Sequence, residues 1–226
     1  MIRSSETFLQ KLSTATDKKD CGLYVYDGYL SPRNANDAFA VLGNDALFPW
    51  DNKPVLGGER LTQHAYGHDR YKYLKGQKNK SFRGLSKLEE ICSNIEDDFG
   101  IEISYVFCNR FQDPNHFLDW HKDTYGENIC VLTLGAPRRI EFRNNKTRAI
   151  EGLVPKSGDL YIMPLHINKT HKHKVWSAIE TDSEASKRTD NTRLSFVFFF
   201  KAPKDVKEFK ISRMDKAVGY LNYMLE

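Results

Sequence analysis

Apolar residues recur at two different spacings along this chain, and the period changes at Gly100. Ahead of it the spacing is helical. Ser31-Pro32, followed by Ala35, Ala38, Phe39 and Leu42 and closed by Gly43, predicts a short helix with an N-cap serine, a first-turn proline and a glycine stop. A stronger helix begins at Ser86: Ser86-x-x-Glu89 is a capping box, Leu88, Ile91, Cys92, Ile95 and Phe99 fall on one face, and Gly100 ends it. Short helices are also predicted near Ser5–Leu12 and Asp215–Leu225, and the first hundred residues together read as mixed α and β.

Beyond Gly100 the apolar residues follow period two. IEISYVF, the stretch around WHKD, ICVLTL, RRIEFR, DLYIMP, KHKVW and LSFVFFF are separated by Gly, Asn, Asp and Pro. Seven short strands with such punctuation predict a sandwich or jelly roll over residues 101–203. The polar run from Ile179 to Thr192 is predicted to be an exposed loop between the last two strands. With no internal repeat, residues 1–226 read as one folded unit.

Composition narrows the class. The 226 residues are 40% hydrophobic and 28% charged, which gives enough apolar area to offset ordering entropy and argues against disorder. The four cysteines, Cys21, Cys92, Cys108 and Cys130, contain no C-x-x-C pair, so buried thiols are expected rather than a zinc ribbon or disulfide framework. The opening MIRSSETFLQKLS lacks the basic and apolar regions of a secretory signal, and no apolar run approaches the ~20 residues of a membrane span. The expectation is a cytoplasmic or nucleic-acid-associated protein, monomeric and without a membrane partner.

Net charge is only +4, but it is unevenly spread. Between Asp69 and Lys87 stand Arg70, Lys72, Lys75, Lys78, Lys80, Arg83 and Lys87 against Asp69 alone, interleaved with Tyr71, Tyr73 and Phe82. Cations alternating with aromatic faces suit a phosphate backbone and its bases, although a solvated loop has the same composition.

The candidate chemistry lies in the strand-rich half. In His121-Lys122-Asp123, placed within a predicted strand, side chains two apart share a face, so an imidazole and a carboxylate project together as a metal-chelating pair. A second histidine from KHKVW would complete two His and one carboxylate, the facial set that leaves positions open on non-haem Fe(II). His171 and His173 share a face of that stretch, and His166 lies close by, so alternation alone leaves the third ligand open. Arg193 opens the last strand. Buried there it requires an anion, whereas at a strand end it could equally snorkel to solvent.

These motifs, in order, resemble the AlkB-like Fe(II)/2-oxoglutarate dioxygenases: Asn109-Arg110-Phe111, Trp120-His121-Lys122-Asp123, Leu132-Thr133-Leu134-Gly135-Ala136-Pro137-Arg138, Gly158-Asp159-Leu160-Tyr161-Ile162-Met163 leading to His173, and Arg193. Upstream, Arg60-Leu61-Thr62, Tyr66-Gly67 and Tyr71-Lys72-Tyr73 resemble that family's nucleotide-recognition segment, and Tyr26-Asp27-Gly28-Tyr29-Leu30-Ser31 its opening strand-to-helix passage. The resemblance implies an α+β fold with a double-stranded β-helix (jelly-roll) core at 101–203, an N-terminal α/β nucleotide-recognition lid within 1–100 and a C-terminal helical segment at 204–226. It implies Fe(II) on His121, Asp123 and His173, and 2-oxoglutarate held by Arg193, Ser195 and Asn109. His173 is preferred to its neighbours for its distance from Gly158-Asp159 and because Val175 continues its face. Trp50, Arg60, Tyr66, Tyr71 and Tyr73 are implied to recognise the substrate.

The activity implied is oxidative demethylation of N-alkylated bases in DNA or RNA, single-stranded or with the base flipped out, releasing formaldehyde, succinate and CO2. Alternatives are hydroxylation of a protein side chain, a 5-methylpyrimidine or a small molecule, a catalytically silent nucleic-acid-binding module, and, with least support, zinc-dependent hydrolysis. Two departures from the family pattern bear on the co-substrate. The tyrosine of N-x-Tyr is Phe111, and a second arginine six residues after Arg193 is Phe199, so a phenol and a cation are lost.

Overall fold

Alternation along the last strand determines how the layers stack. In the computed structural model, which describes residues 5–48, 50, 86–123, 127–203 and 206 together with the backbone of 62–67, this strand spans Arg193–Lys201. Leu194, Phe196, Phe198 and Phe200 enter one apolar cluster and Phe199 another, with Val197 packed against the second. A strand buried on both faces needs a layer on each side.

The elements in chain order are α1 (Ser5–Ser13), β1 (Asp17–Lys18), β2 (Tyr24–Tyr26), α2 (Pro32–Leu42), β3 (Thr62–Gly67), α3 (Ser86–Phe99), β4 (Glu102–Phe111), β5 (Leu118–His121) and β6 (Asn128–Gly135). They continue with β7 (Ile140–Asn144), β8 (Ile150–Leu153), β9 (Leu160–Met163), α4 (Leu165–Thr170), β10 (His171–Val175), α5 (Ala178–Thr181), a 3₁₀ turn (Ser183–Lys187) and β11 (Arg193–Lys201). The major sheet runs β1-β2-β9-β6-β11-β4-β3 and the minor sheet β5-β10-β7-β8, with every recorded pairing antiparallel. Two facing antiparallel sheets with crossovers form the jelly-roll core expected from the strand pattern.

Helices α1, α2 and α3 cover the outer face of the major sheet. Ser31 Oγ caps α2 by accepting from the Asn34 N–H at 3.3 Å, Pro32 stands in its first turn, and Ala35, Ala38 and Leu42 are buried. In α3 the expected apolar face, Leu88, Ile91, Cys92, Ile95 and Phe99, is buried to the last residue. Gly100, at φ +60°, reverses the chain, and the Ile101 N–H returns to Glu96 O at 3.1 Å. These helices share the outer cluster with Leu194, Phe196, Phe198 and Phe200. The cluster between the sheets holds Phe111, Ile140, Phe142, Tyr161, Val175 and Phe199.

Three expectations change. Residues 101–203 carry eight described strands, not seven: β8, Ile-Glu-Gly-Leu, has no alternating apolar pattern yet pairs with β7 from Ile140–Leu153 to Arg143–Ile150. The polar run after Ile179 is not simply a loop. Ser177 and Glu180 form a reciprocal capping box that starts α5, and a 3₁₀ turn follows. Finally, β5 stops at His121, so Asp123 lies beyond the strand that was expected to contain it. The predicted helix at Asp215–Leu225 and most of the basic stretch lie outside the described residues; of that stretch Lys87 is described, held by Asp37 and Glu90 at 2.8 Å each. Among the described residues no helix is long and apolar enough to cross a membrane.

Candidate metal centre

Strand register brings two histidines together. His121 on β5 is the direct antiparallel partner of His173 on β10, so both rings project from one face, with centroids 4.0 Å apart. A bulge between His173 and Val175 resets the pairing with β5. Asp123 reaches the same point from past the strand end, and its Oδ2 lies 3.5 Å from His173 Nε2. One ligand atom from each of His121, Asp123 and His173 can be chosen so that all three lie within 4.8 Å of one another. Two imidazoles and one carboxylate gathered on one side of a point can hold a divalent metal and leave its far side open.

The surroundings orient these ligands. His121 Nδ1–H donates to the Asp119 carbonyl at 2.7 Å, which fixes the tautomer and leaves Nε2 as the lone-pair donor. His173 stacks on Phe142 at 5.7 Å and 26°. Asn168 in α4 replaces the missing ladder for Asp123: its Oδ1 accepts from the Asp123 N–H at 3.0 Å and its Nδ2 donates to the Asp123 carbonyl. The sequence reading did not pick out Asn168, because an amide in a helix six residues long carries no motif.

The rival histidines are placed elsewhere. His171 is buried like His173, but its ring nitrogens face Thr170 Oγ1 at 2.9 Å and Asn144 Nδ2 at 3.4 Å, and burial lowers its pKa. His166 is exposed on α4. Neither joins the three-ligand cluster.

Behind the metal position a polar row crosses the major sheet. Ser195 on β11 pairs with Asn109 on β4 and with Thr133 on β6, and Arg193 is the next inward residue of β11. Arg193 is 1% exposed, so it does not snorkel. Its Nη2 donates to Thr133 Oγ1 at 3.1 Å and its guanidinium lies over the Phe111 ring at 5.4 Å, while Nε and Nη1 have no partner. Burial pulls its pKa down to about 10. A buried cation with unused N–H donors is a ready anion site, and a carboxylate is the simplest group to satisfy it. Asn109 Oδ1 is likewise buried without a partner. Tyr161 completes the wall; burial raises its pKa, the Arg193 charge opposes that shift and the Asp123 charge adds to it. The donor set therefore fits both a metal and a carboxylate-bearing ligand, and Thr133 and Tyr161 extend the set that the sequence suggested.

Of the substrate-side residues, Trp50 alone has a described side chain. Trp50 packs on Phe48 and Phe196 in the outer cluster, its indole N–H donating to Leu42 O at 2.6 Å. Tyr66 falls in β3, of which only the backbone course is described, and Arg60, Tyr71 and Tyr73 lie outside the described residues.

Residues 22–198 match the family model described as the 2OG-Fe(II) oxygenase superfamily. No protein of curated function matches the chain in sequence. Among solved structures, the chain is similar to a prolyl hydroxylase in complex with a hypoxia inducible factor oxygen degradation domain peptide fragment from Trichoplax adhaerens. Identity is 11%, coverage is 94% of this chain and 91% of that one, and the TM-score is 0.56. It is also similar to a Pseudomonas putida prolyl-4-hydroxylase (14% identity, 87% and 98% covered, TM-score 0.49) and to OsALKBH1 (13% identity, 78% and 97% covered, TM-score 0.49). At 11% identity and a TM-score of 0.56, the likeness to the Trichoplax adhaerens protein is one of fold.

Proposed function

From the premise that this chain belongs to the 2OG-Fe(II) oxygenase superfamily, and so is an Fe(II)- and 2-oxoglutarate-dependent dioxygenase, we propose that it is AlkB-like and demethylates N-alkylated bases in single-stranded or flipped-out nucleic acid. His121, Asp123 and His173 would hold the iron, and Arg193, Ser195 and Asn109 would hold the co-substrate. When bound, iron and 2-oxoglutarate together activate O2, giving succinate and CO2 and oxidising a substrate C–H bond. The chain's own part is placement and exclusion. Asn168 fixes the carboxylate ligand, the Asp119 carbonyl fixes the His121 tautomer, and Phe142, Phe111 and Phe199 keep the interior dry. The lid within 1–100 and the helical segment at 204–226 are part of this proposal.

The observation that carries the nucleic-acid reading is the solvent-facing side of the minor sheet. Trp120, adjacent to His121, lies under the Arg143 guanidinium at 4.3 Å. Trp176 lies under Lys174 Nζ at 3.7 Å and Arg139 at 4.3 Å. Lys122 and Lys172 are exposed beside them, close enough that the Lys172 charge adds to burial in lowering the Lys122 pKa. Of these cations only Arg139 has a carboxylate partner among the described residues, Glu141 at 3.5 Å. Cations laid on aromatic faces on the outer side of the strands that carry the metal ligands suit phosphates and bases, and the basic 69–87 stretch adds to the chain's positive charge.

The test is formaldehyde release from an N-methylated single-stranded oligonucleotide, dependent on added iron and 2-oxoglutarate. Lys172→Glu with Lys174→Glu is expected to raise KM for the oligonucleotide and to make its dependence on salt shallower, since fewer phosphates are neutralised, while leaving kcat near wild type. Turnover of a peptide or free small molecule with none on methylated oligonucleotides would replace this reading with another oxygenase activity.

A further inference from the structure

The lost second arginine has a replacement in the segment between β6 and β7. We propose that Arg138 is a second guanidinium of the co-substrate site, sharing the distal carboxylate of 2-oxoglutarate with Arg193. The inference rests on the co-substrate role given to Arg193 above, and it is independent of which substrate is oxidised.

Arg138 is fully buried, at 0% exposure. It stands just ahead of β7, two residues before Ile140 and four before Phe142, both members of the cluster between the sheets. Its position is fixed by Nη2, which donates to Asn191 O at 3.0 Å and to Asp113 O at 3.2 Å. Asn191 precedes Arg193 by two residues, and the chain leading to Arg138 is tied to the same place, with Ala136 N–H on Thr192 O at 2.8 Å and Gly135 paired with Arg193. The two guanidinium groups therefore converge on one end of the interior, Arg193 from the first residue of β11 and Arg138 from the segment that leads into β7.

That convergence leaves charge and donors unanswered. Arg138 Nε and Nη1 and Arg193 Nε and Nη1 are all buried and without hydrogen-bond partners. Among the described residues no carboxylate forms an ion pair with either arginine. Burial, and after it the Arg193 charge, pull the Arg138 pKa down to about 10, with the Asp113 charge working the other way. Two neighbouring buried cations are tolerated only with a compensating anion. A carboxylate offers about four lone-pair sites, enough for the Arg193 fork and a further N–H from Arg138. The competing assignment is a loop clamp, in which Nη2 alone matters and the remaining donors do nothing.

Calorimetric titration of the zinc(II)-loaded, redox-silent protein distinguishes them, using 2-oxoglutarate and 2-oxopentanoate, which keeps the metal-binding end but has a methyl in place of the distal carboxylate. Arg138→Gln is expected to weaken 2-oxoglutarate by about tenfold to a hundredfold and to leave 2-oxopentanoate unchanged. Equal weakening of both ligands, or of neither in a folded variant, would overturn the proposal. Should Arg138→Gln fail to fold, the wild-type arginine side-chain NMR spectrum decides. Two buried Nε–H resonances are expected to move on adding 2-oxoglutarate, and only one of them is expected to be absent from Arg193→Gln; movement of a single resonance, absent from Arg193→Gln, would overturn the role of Arg138. Failure of wild type to bind 2-oxoglutarate at all is a different result and would overturn the Arg193 assignment with it.

Discussion

Replacing Asn168 by alanine probes the one ligand that the sheet does not position. His121 and His173 are held by the β5–β10 ladder, but Asp123 lies two residues past the end of β5. Its backbone is held instead by the Asn168 amide, which accepts from its N–H at 3.0 Å and donates to its carbonyl. Asn168 is 5% exposed, and its helix α4 leads directly into β10, so one side chain ties the carboxylate segment to the strand of the second histidine. Two such hydrogen bonds are together worth about 1–3 kcal/mol. Loss of a group that orients a ligand typically lowers metal affinity about 10- to 100-fold, equivalent to about 1.4–2.7 kcal/mol. The ranges overlap, so most of the bond energy is expected to appear as metal affinity. Competition titration of zinc(II) or manganese(II) against a chelator should show the 10- to 100-fold loss, and urea unfolding of the metal-free variant should show a drop of no more than about 3 kcal/mol. An Asn168→Ala protein that binds metal as tightly as wild type would refute the reasoning and leave Asp123 positioned by something else.

Other outcomes follow from the same geometry. His173→Ala is expected to lose iron and His171→Ala to keep it, measured as metal content after dialysis, and the reverse result would move the third ligand. Gly135→Ala should be strongly destabilising, by at least about 2 kcal/mol in urea unfolding: at φ +82° a side chain is strained, and its Cβ would stand 2.3 Å from Thr192 O. Stability should also fall in alkali. Burial raises the thiol pKa of Cys92, Cys108 and Cys130. Unfolded thiols lose protons from about pH 8.5 while the folded ones keep them, so above that pH the folded state binds more protons and loses about 1 kcal/mol per thiol by pH 9.5. A urea midpoint unchanged between pH 7.5 and 9.5 would contradict this. Cys21, pushed up to about 12 chiefly by burial, should react with iodoacetamide at a rate that climbs about tenfold per pH unit up to pH 11.

The parts legible in the sequence were those in which one residue type repeats with a fixed period. The α3 face, from Leu88 to Phe99, and the β11 face, from Leu194 to Phe200, needed only burial to produce them, and burial follows spacing. The metal ligands were legible as candidates because imidazole and carboxylate are few and chemically distinct. What alternation could not decide was His171 against His173, since both are buried on one face. Register separates them, and register is a property of two strands: His173 is opposite His121, while His171 is opposite Asn144 on the other neighbour, which is why His173 is the proposed ligand. Asp123 stands beside the two histidines, but not for the reason expected. It was expected there through strand alternation and arrives through a loop secured by Asn168, a contact 45 residues apart in sequence.

The two departures from the family pattern also acquire a physical meaning once packing is visible. Phe199 does not leave a hole where a cation is missing: its ring stacks on Tyr105 at 4.4 Å and 2°, sealing that part of the interior with an apolar pair. Phe111, without a phenol, places its ring 5.4 Å from the Arg193 guanidinium, so the face replaces a hydroxyl as the group against the cation. Both changes make the wall drier, and a drier wall strengthens every remaining charge interaction inside it. The same change raises the penalty for leaving Arg193 and Arg138 without an anion. An interior built in this way is expected to favour a dicarboxylate over a monocarboxylate strongly, because the selectivity comes from satisfying buried cations.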